Sequence, residues 1–455
     1  MRINEIDIIY EQLIGTDIQI KGLITTIRNQ KDIIFININD GTNVSGCQLV
    51  GNNTDLKISL GCSIVCNGKV IKSPAKGQKY EIEIINLILI GTCDSESYPL
   101  FKSKTSLQYL RNYEHLRFRT KTFGSIFRIR SSLMFATHLF FHDNNYMQLD
   151  PNIITLNEAE GGCGAFQLTE KDISNINLLE KKNNLYDWSK DHFTKPVYLT
   201  VSSQLQLEAI SCALGAVYTM NKSFRAEHSN TTKHVSEFTH LEIENTFIDL
   251  DNLLEISEKY IKFVGNYILN HSITDLENLD SFVSKGVLNR IKKLLDNDFI
   301  RIEYINAIKL INEKSKIKIV YGDDLNSEAE NFITEYYNDT PVFVVNWPLS
   351  IKSFYMKQNE DNLTCSNFDL LMPYKIGELI GGSMREDDLD KLVSVMKIKN
   401  VSQEPLNFYL DLRKFGTVPH GGFGLGFDRL CQFFCSIENI RDVIPFPNAY
   451  QSCKY

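Results

Sequence analysis

Ser223-Phe224-Arg225-Ala226-Glu227-His228 runs into a polar stretch, residues 229–234, returns at Glu237-Phe238 and continues to Leu241-Glu242-Ile243-Glu244; far downstream stands Gly422-Phe423-Gly424-Leu425-Gly426-Phe427-Asp428-Arg429. Extended segments on either side of 229–234 read as two antiparallel strands joined by a loop, which puts Arg225 and Phe238 on one sheet. Glu242 and Glu244, two positions apart and alternating with Leu241 and Ile243, point to one face of the second strand. The late glycines let strand and helix backbones approach a ligand closely, and Arg429 falls where the helix begins. An arginine fork holds phosphate oxygens bidentately, while flanking carboxylates hold an ammonium group or share a magnesium ion with those phosphates.

The chain around these stretches has 455 residues, long for one core and indicative of two or three domains. A formal net charge of -8 argues against a protein coated in basic residues but leaves room for nucleic acid on a local basic patch. The ten cysteines are scattered, and neither Cys62 with Cys66 nor Cys431 with Cys435 forms a C-x-x-C pair or joins a Cys/His ligand set. They read as core thiols in a reducing compartment. Acids at Glu5 and Asp7 interrupt the apolar run that a secretory signal needs, and no apolar stretch approaches membrane-spanning length. A cytoplasmic protein without a membrane partner is expected.

Residues 1–98 read as a β-rich domain. Short strands at 19–27, 33–38, 46–50, 63–70 and 80–88 are separated by turn signals such as Asn39-Asp40-Gly41 and Ser73-Pro74-Ala75-Lys76-Gly77. Five strands in so small a domain suit an OB-fold, whose open face binds exposed bases, although periodicity alone leaves other small barrels open. A hinge follows at 99–115, and from about Leu107 helical signals begin, with a basic edge made by Arg111, Arg117, Arg119, Arg128 and Arg130; its plain reading is a solvent-facing row. Between about 253 and 338 the chain reads as helical, with a stripe of Leu254, Ile256, Tyr260, Ile261, Val264 and Ile268 and a further helix across 282–295.

Together the Arg225 and Arg429 stretches resemble motifs 2 and 3 of class II aminoacyl-tRNA synthetases, and the order Gly22, Arg28, Phe35, Asp40-Gly41 and Gln48 resembles the anticodon-binding domain of their aspartyl/asparaginyl/lysyl subgroup. The resemblance spans nearly the whole chain and implies an α+β protein: an N-terminal OB-fold β-barrel, then a class II antiparallel-sheet catalytic domain at 116–455. It implies ATP and Mg2+ as cofactors, with Arg225 on the α-phosphate, Glu227 positioning ATP, His234 near the outer phosphates, Phe238 on adenine, Arg429 beside triphosphate and adenine, and Asp369 and Glu378 organising the magnesium. Lys233 stands where the family more often has arginine and Asp428 where glutamate is commoner. Phe35 would stack on the central anticodon base, with Arg28 and Gln48 holding the loop. The helical stretch from about Leu107, with the turn at Asp150-Pro151, resembles motif 1 and implies a homodimer that buries apolar surface from near Leu133 to Pro151.

The same resemblance places Glu160 on the ammonium group of an amino acid and Gln204, in Ser202-Ser203-Gln204-Leu205-Gln206-Leu207-Glu208, against that amino acid. It puts Arg385 on the side-chain oxygen, Glu242 as acceptor from a side-chain amide nitrogen, and Glu244 in support of the ammonium pocket. Aspartyl enzymes carry a lysine where this chain has Leu207, so an uncharged amide fits better than an acid. The chain is thus most similar to the asparaginyl branch, and its 201–204 and Gly421-Gly422 neighbourhoods resemble the eukaryotic cytosolic form. L-asparagine and tRNA(Asn) are the implied partners. An aspartyl or non-discriminating synthetase, and an inactive RNA-binding paralogue, are the alternatives.

Overall fold

The computed structural model describes residues 1–100, 105–156, 164–175 and 179–455. Two compact units make up the chain: Met1–Arg128 with Thr274–Lys285, and Ile129–Ile273 with Gly286–Tyr455.

In the first unit β1 (Asp17–Gln30), β2 (Ile33–Asn39), β3 (Cys47–Asn52), β4 (Ser63–Lys72) and β5 (Tyr80–Gly91) close into a barrel in the order β1-β2-β3-β5-β4. Period-two alternation drives it: Ile34, Ile36 and Ile38 on β2 are buried while Phe35 and Asn37 between them face outward. The five strands expected from the sequence are all present. A helix that the sequence reading did not anticipate, Ile3–Leu13, lies against the barrel and buries Ile3 and Ile6 completely. The Ile3 N–H donates to Asp40 Oδ2 at 2.8 Å, and the Tyr80 hydroxyl donates to Asp7 Oδ1 at 2.8 Å, so the helix is tied down by both apolar and polar contacts.

Of the expected solvent-facing arginine row, Arg119 is exposed, but Arg117 and Arg128 are drawn into the structure. Arg117 is fully buried, 4.5 Å from the Phe123 ring centroid, and Arg128 forks Asp275 through Nε at 3.1 Å and Nη2 at 2.7 Å. Paired carboxylates and an aromatic face make burial of these cations tolerable.

The second unit is built on an eight-stranded sheet. Its strands are β6 (Met147–Gln148), β7 (Val217–Phe224), β8 (Glu237–Thr246), β9 (Ile300–Glu303), β10 (Val342–Val345), β11 (Asn367–Met372), β12 (Gly377–Met384) and β13 (His420–Gly426), in the order β9-β10-β11-β12-β13-β8-β7-β6. The six central strands pair antiparallel and only β6 and β9, at the edges, pair parallel. Phe368, Leu370, Ile380, Phe423, Leu425, Leu241 and Ile243 are buried on this sheet. Against it pack the helices Leu250–His271 and Phe427–Cys435. Asp249 and Asn252 form a reciprocal cap that starts the first of these, and Leu254, Tyr260, Ile261, Val264 and Ile268 are buried as the stripe implies. The helix expected across 282–295 begins later, at Val287, and runs to Asp296, because Gly286 at its N-cap turns left-handed with φ +95°; a separate helix, Ile273–Phe282, precedes it.

Candidate active site

Strand register lays out the site. Asp369, Gly381, Gly424, Glu242 and Thr219 are cross-strand neighbours in one row, and Asn367, Ser383, Gly422, Glu244 and Val217 form the row two positions along. Rows two apart share a sheet face. Glycine at the centre keeps that face open: a Cβ on Gly424 would lie 2.6 Å from His240 Nε2, and one on Gly422 would lie 2.3 Å from Glu244 Oε2. No side chain fits at either position without displacing an acid or a histidine of the floor.

At one end sits a buried ionic cluster. Arg385 donates from Nε to Glu244 Oε1 at 3.0 Å, from Nη2 to Glu244 Oε2 at 2.8 Å and from Nη1 to Ser383 Oγ at 2.6 Å. Of its five N–H groups this leaves one on each terminal nitrogen, among the described residues, for a ligand oxygen. Burial pushes the Glu244 carboxyl above its ordinary range; Arg385 pulls it back, and Glu208 adds to the rise. Glu242 faces Ser202 and Ser203. Its Oε1 accepts from the Ser202 hydroxyl at 2.5 Å, and both oxygens accept from the Ser203 N–H at 3.0 Å, so it secures the start of the helix Gln204–Leu214. The carboxylate that pairs with Arg385 is Glu244, whereas Glu242 stands two positions along the same strand face. Gln204 donates to Glu208 Oε1 at 3.0 Å, and Leu207 is fully buried in the same helix.

Toward the other end, the β7–β8 hairpin and the start of the Phe427–Cys435 helix gather a cationic group. Arg225 follows β7, its guanidinium carbon 5.4 Å from the Phe238 ring centroid. His234 Nε2 is 3.7 Å from Glu227 Oε2, and its pKa is lowered by burial and by Arg429, Arg225 and Lys233, against the pull of Glu227. Arg429 Nη1 donates to the Glu378 carbonyl at 2.7 Å. The loop is held by the Ser236 N–H on Asn448 O at 2.7 Å and the Ile440 N–H on Thr232 O at 2.9 Å. Asp428 is not part of this surface: it accepts from Arg130 Nη1 at 2.5 Å and from the Thr239 N–H at 2.8 Å, a buried strut between helix and strand.

Asp369 and Glu378 converge over Gly381, where a Cβ would meet Glu378 Oε1 at 2.9 Å and Asp369 Oδ1 at 3.7 Å. Lys352, unremarked in the sequence as a site residue, donates to Asp369 Oδ2 at 2.6 Å and lies 3.9 Å from the Trp347 ring centroid. Burial pushes the Asp369 carboxyl up to about 7, with Lys352 opposing and Glu378 adding. Among the described residues no three His, Cys, Asp or Glu side chains gather as a metal site. Two carboxylates over a glycine suit a hard cation that takes its remaining ligands from phosphate and water.

Glu160 lies outside the described residues. Also unforeseen is Glu330, which with Lys233 crowds Gly377: a Cβ there would meet Glu330 Oε2 at 2.3 Å and Lys233 Nζ at 3.2 Å, and Gly377 has φ +74°. In the barrel unit, Arg28 stands directly across from Phe35, its guanidinium carbon 5.1 Å from the ring centroid, and Gln48 pairs with Asn37 on the same outward face. The three expected base-binding residues thus share one surface.

Residues 106–450 match the family model described as tRNA synthetases class II (D, K and N), and the chain belongs to that family. Within it, the chain is 41% identical over 446 residues to the asparagine–tRNA ligase of Protochlamydia amoebophila, covering 96% of this chain and 95% of the relative. It is 40% identical to the probable mitochondrial asparagine–tRNA ligase of Dictyostelium discoideum, covering 100% and 97%. Among solved structures, asparaginyl-tRNA synthetase from Pyrococcus horikoshii complexed with asparaginyl-adenylate superposes with a TM-score of 0.85 at 29% identity, covering 96% of each chain. The chain stands in the asparaginyl branch of the class.

Proposed function

We propose that the chain is an ATP-dependent asparagine–tRNA ligase, which activates L-asparagine as the adenylate and transfers it to tRNA(Asn). The observation that carries the choice of amino acid is the buried Arg385–Glu244 pair, with the apolar Leu207 standing where aspartyl enzymes carry a lysine. Arg385 has an N–H on each terminal nitrogen for the amide oxygen, and Glu244 has lone pairs left for the amide nitrogen. An aspartate side chain would instead bring a second carboxylate against Glu244, with no lysine to receive it.

In the first step an asparagine carboxylate oxygen attacks the α-phosphorus of ATP, the bond from that phosphorus to the α,β-bridging oxygen breaks, and pyrophosphate leaves with that oxygen. Arg225 and Arg429 hold the phosphate oxygens as charge develops, Phe238 carries the adenine, Glu227 and His234 set the nucleotide, and no protein nucleophile takes part. Asp369 and Glu378 would hold Mg2+, which supplies charge neutralisation of the triphosphate. In the second step a terminal hydroxyl of tRNA attacks the activated carbonyl and AMP departs. Glu160 is proposed for the ammonium group and Gln204 for the amino-acid backbone side.

Arg28, Phe35 and Gln48 are proposed as the anticodon surface. Phe35→Ala is expected to weaken binding of a tRNA with U at the centre of its anticodon by about 1–3 kcal/mol, with tRNA-independent adenylate formation changing less. Equal tRNA binding by parent and a folded F35A protein would remove Phe35 from the surface. A cytoplasmic setting accords with buried, unbridged thiols at Cys47, Cys62, Cys66, Cys365, Cys431 and Cys435. Among the described residues no helix is long and apolar enough to cross a membrane. The enzyme is proposed to work as a homodimer through the motif 1 region, where Phe135 on the helix Lys121–Asp143 is 60% exposed. Sedimentation at assay concentrations is expected to show a dimer; a monomer alone would overturn that assembly.

A further inference from the structure

Behind the Arg385–Glu244 pair lies a second buried carboxylate that the catalytic steps above do not use. Glu208, fully buried on the helix Gln204–Leu214, comes within 3.7 Å of Arg385 Nε. Its Oε2 accepts from Arg413 Nη2 at 3.1 Å and faces His420 Nε2 at 3.1 Å, while Oε1 accepts from Gln204 Nε2 at 3.0 Å. His420 Nδ1 is 2.7 Å from the Val418 carbonyl, so both ring nitrogens face acceptors, the arrangement of a doubly protonated imidazole. Burial works against that charge, and the bond to Glu208 with its negative charge favours it. Arg413 also donates from Nε to the carbonyl of Glu386 at 2.9 Å, the residue next to Arg385. The buried charges therefore alternate along a line: Glu244, Arg385, Glu208, then Arg413 with His420.

We propose that Glu208 is a positioning and specificity-determining residue: it holds the Arg385 guanidinium from behind and, with Glu244, makes the pocket reject an acidic side chain. This rests on the asparagine reading above. A guanidinium flanked by two carboxylates has its charge largely met, so it serves a neutral amide oxygen as a hydrogen-bond donor and offers an incoming carboxylate little unmatched charge. Without Glu208, Arg385 keeps only Glu244 as a charge partner, and its guanidinium offers unmatched positive charge that an aspartate side chain can meet. Glu208 touches no reacting atom and leaves the phosphate end alone.

The test is Glu208→Gln, nearly isosteric, assayed by amino-acid-dependent ATP–pyrophosphate exchange with L-asparagine and L-aspartate separately. The asparagine-to-aspartate ratio of kcat/KM is expected to fall at least 10-fold, through a higher KM for asparagine and improved use of aspartate, with KM for ATP within about 2-fold of parent. Glu208→Asp, which keeps the charge, is expected to restore most of the ratio. Should E208Q fold poorly because Arg413 is left buried without its partner, the double variant E208Q/R413M removes both charges of that pair and is expected to show the same direction of change. A parental ratio in whichever of these variants folds, or an equal loss for both amino acids, overturns the proposal. Parental enzyme that exchanges with neither amino acid would instead overturn the asparagine reading itself.

Discussion

Replacing Arg225 or Arg429 with alanine is expected to slow asparagine-dependent adenylate formation about 30- to 1000-fold, the equivalent of roughly 2–4 kcal/mol of lost transition-state stabilisation. The two arginines approach from different elements: Arg225 leaves β7 over Phe238, and Arg429 comes off the first turn of the Phe427–Cys435 helix with one terminal nitrogen anchored on the Glu378 carbonyl. That anchor fixes the guanidinium before nucleotide arrives, so the ordering cost is met by the fold rather than at each turnover. Neither residue holds the sheet together, since the core is the apolar face of Leu241, Ile243, Phe423 and Leu425. The variants are expected to melt near the parental temperature. Exchange at the parental rate by either purified variant would remove that arginine from the phosphate site.

The second large effect is the choice between two nearly isosteric amino acids. Asparagine offers Arg385 a carbonyl oxygen and Glu244 an N–H; aspartate offers Glu244 a second negative charge inside a site where Glu244 and Arg385 are 0% and 3% exposed. A mismatch of about 3–5 kcal/mol corresponds to roughly 100- to 5000-fold discrimination. The sign of its pH dependence follows from Glu244. Its carboxyl titrates above the ordinary range because of burial, so acid conditions neutralise it sooner than an exposed glutamate, and a protonated Glu244 donates to a carboxylate rather than repelling it. Discrimination is expected to narrow as pH falls and to be widest at neutral to mildly alkaline pH.

Much of this was legible in one dimension, for reasons visible in particular residues. The barrel was readable because Ile34, Ile36 and Ile38 alternate with outward residues between turn signals, a pattern of period two that needs no tertiary information. The Ile3–Leu13 helix carried a signal that was passed over: Ile3, Ile6, Tyr10 and Leu13 recur at helical spacing, and all four pack into the barrel's apolar cluster. The phosphate end was legible because its motif 2 residues are neighbours in sequence. The amino-acid end was not. Glu242 and Glu244 have the same strand parity, so periodicity cannot say which meets Arg385; only the register with Gly424 and Gly422 and the reach of Ser203 decide. Glu208 stood in plain view beside Leu207, yet its partners Arg413 and His420 are 205 and 212 positions away, and nothing local joins them. Asp428, where glutamate is commoner, is a buried strut to Arg130 and Thr239, partners 298 and 189 positions away that nothing local announces.

The central claim, that this is an asparagine-activating synthetase, is tested most directly by pyrophosphate exchange of the purified protein with L-asparagine and L-aspartate in parallel at neutral pH. The expected result is robust exchange with asparagine and a kcat/KM for aspartate lower by about 100- to 5000-fold. Comparable values for the two amino acids, or exchange with aspartate alone, would contradict it.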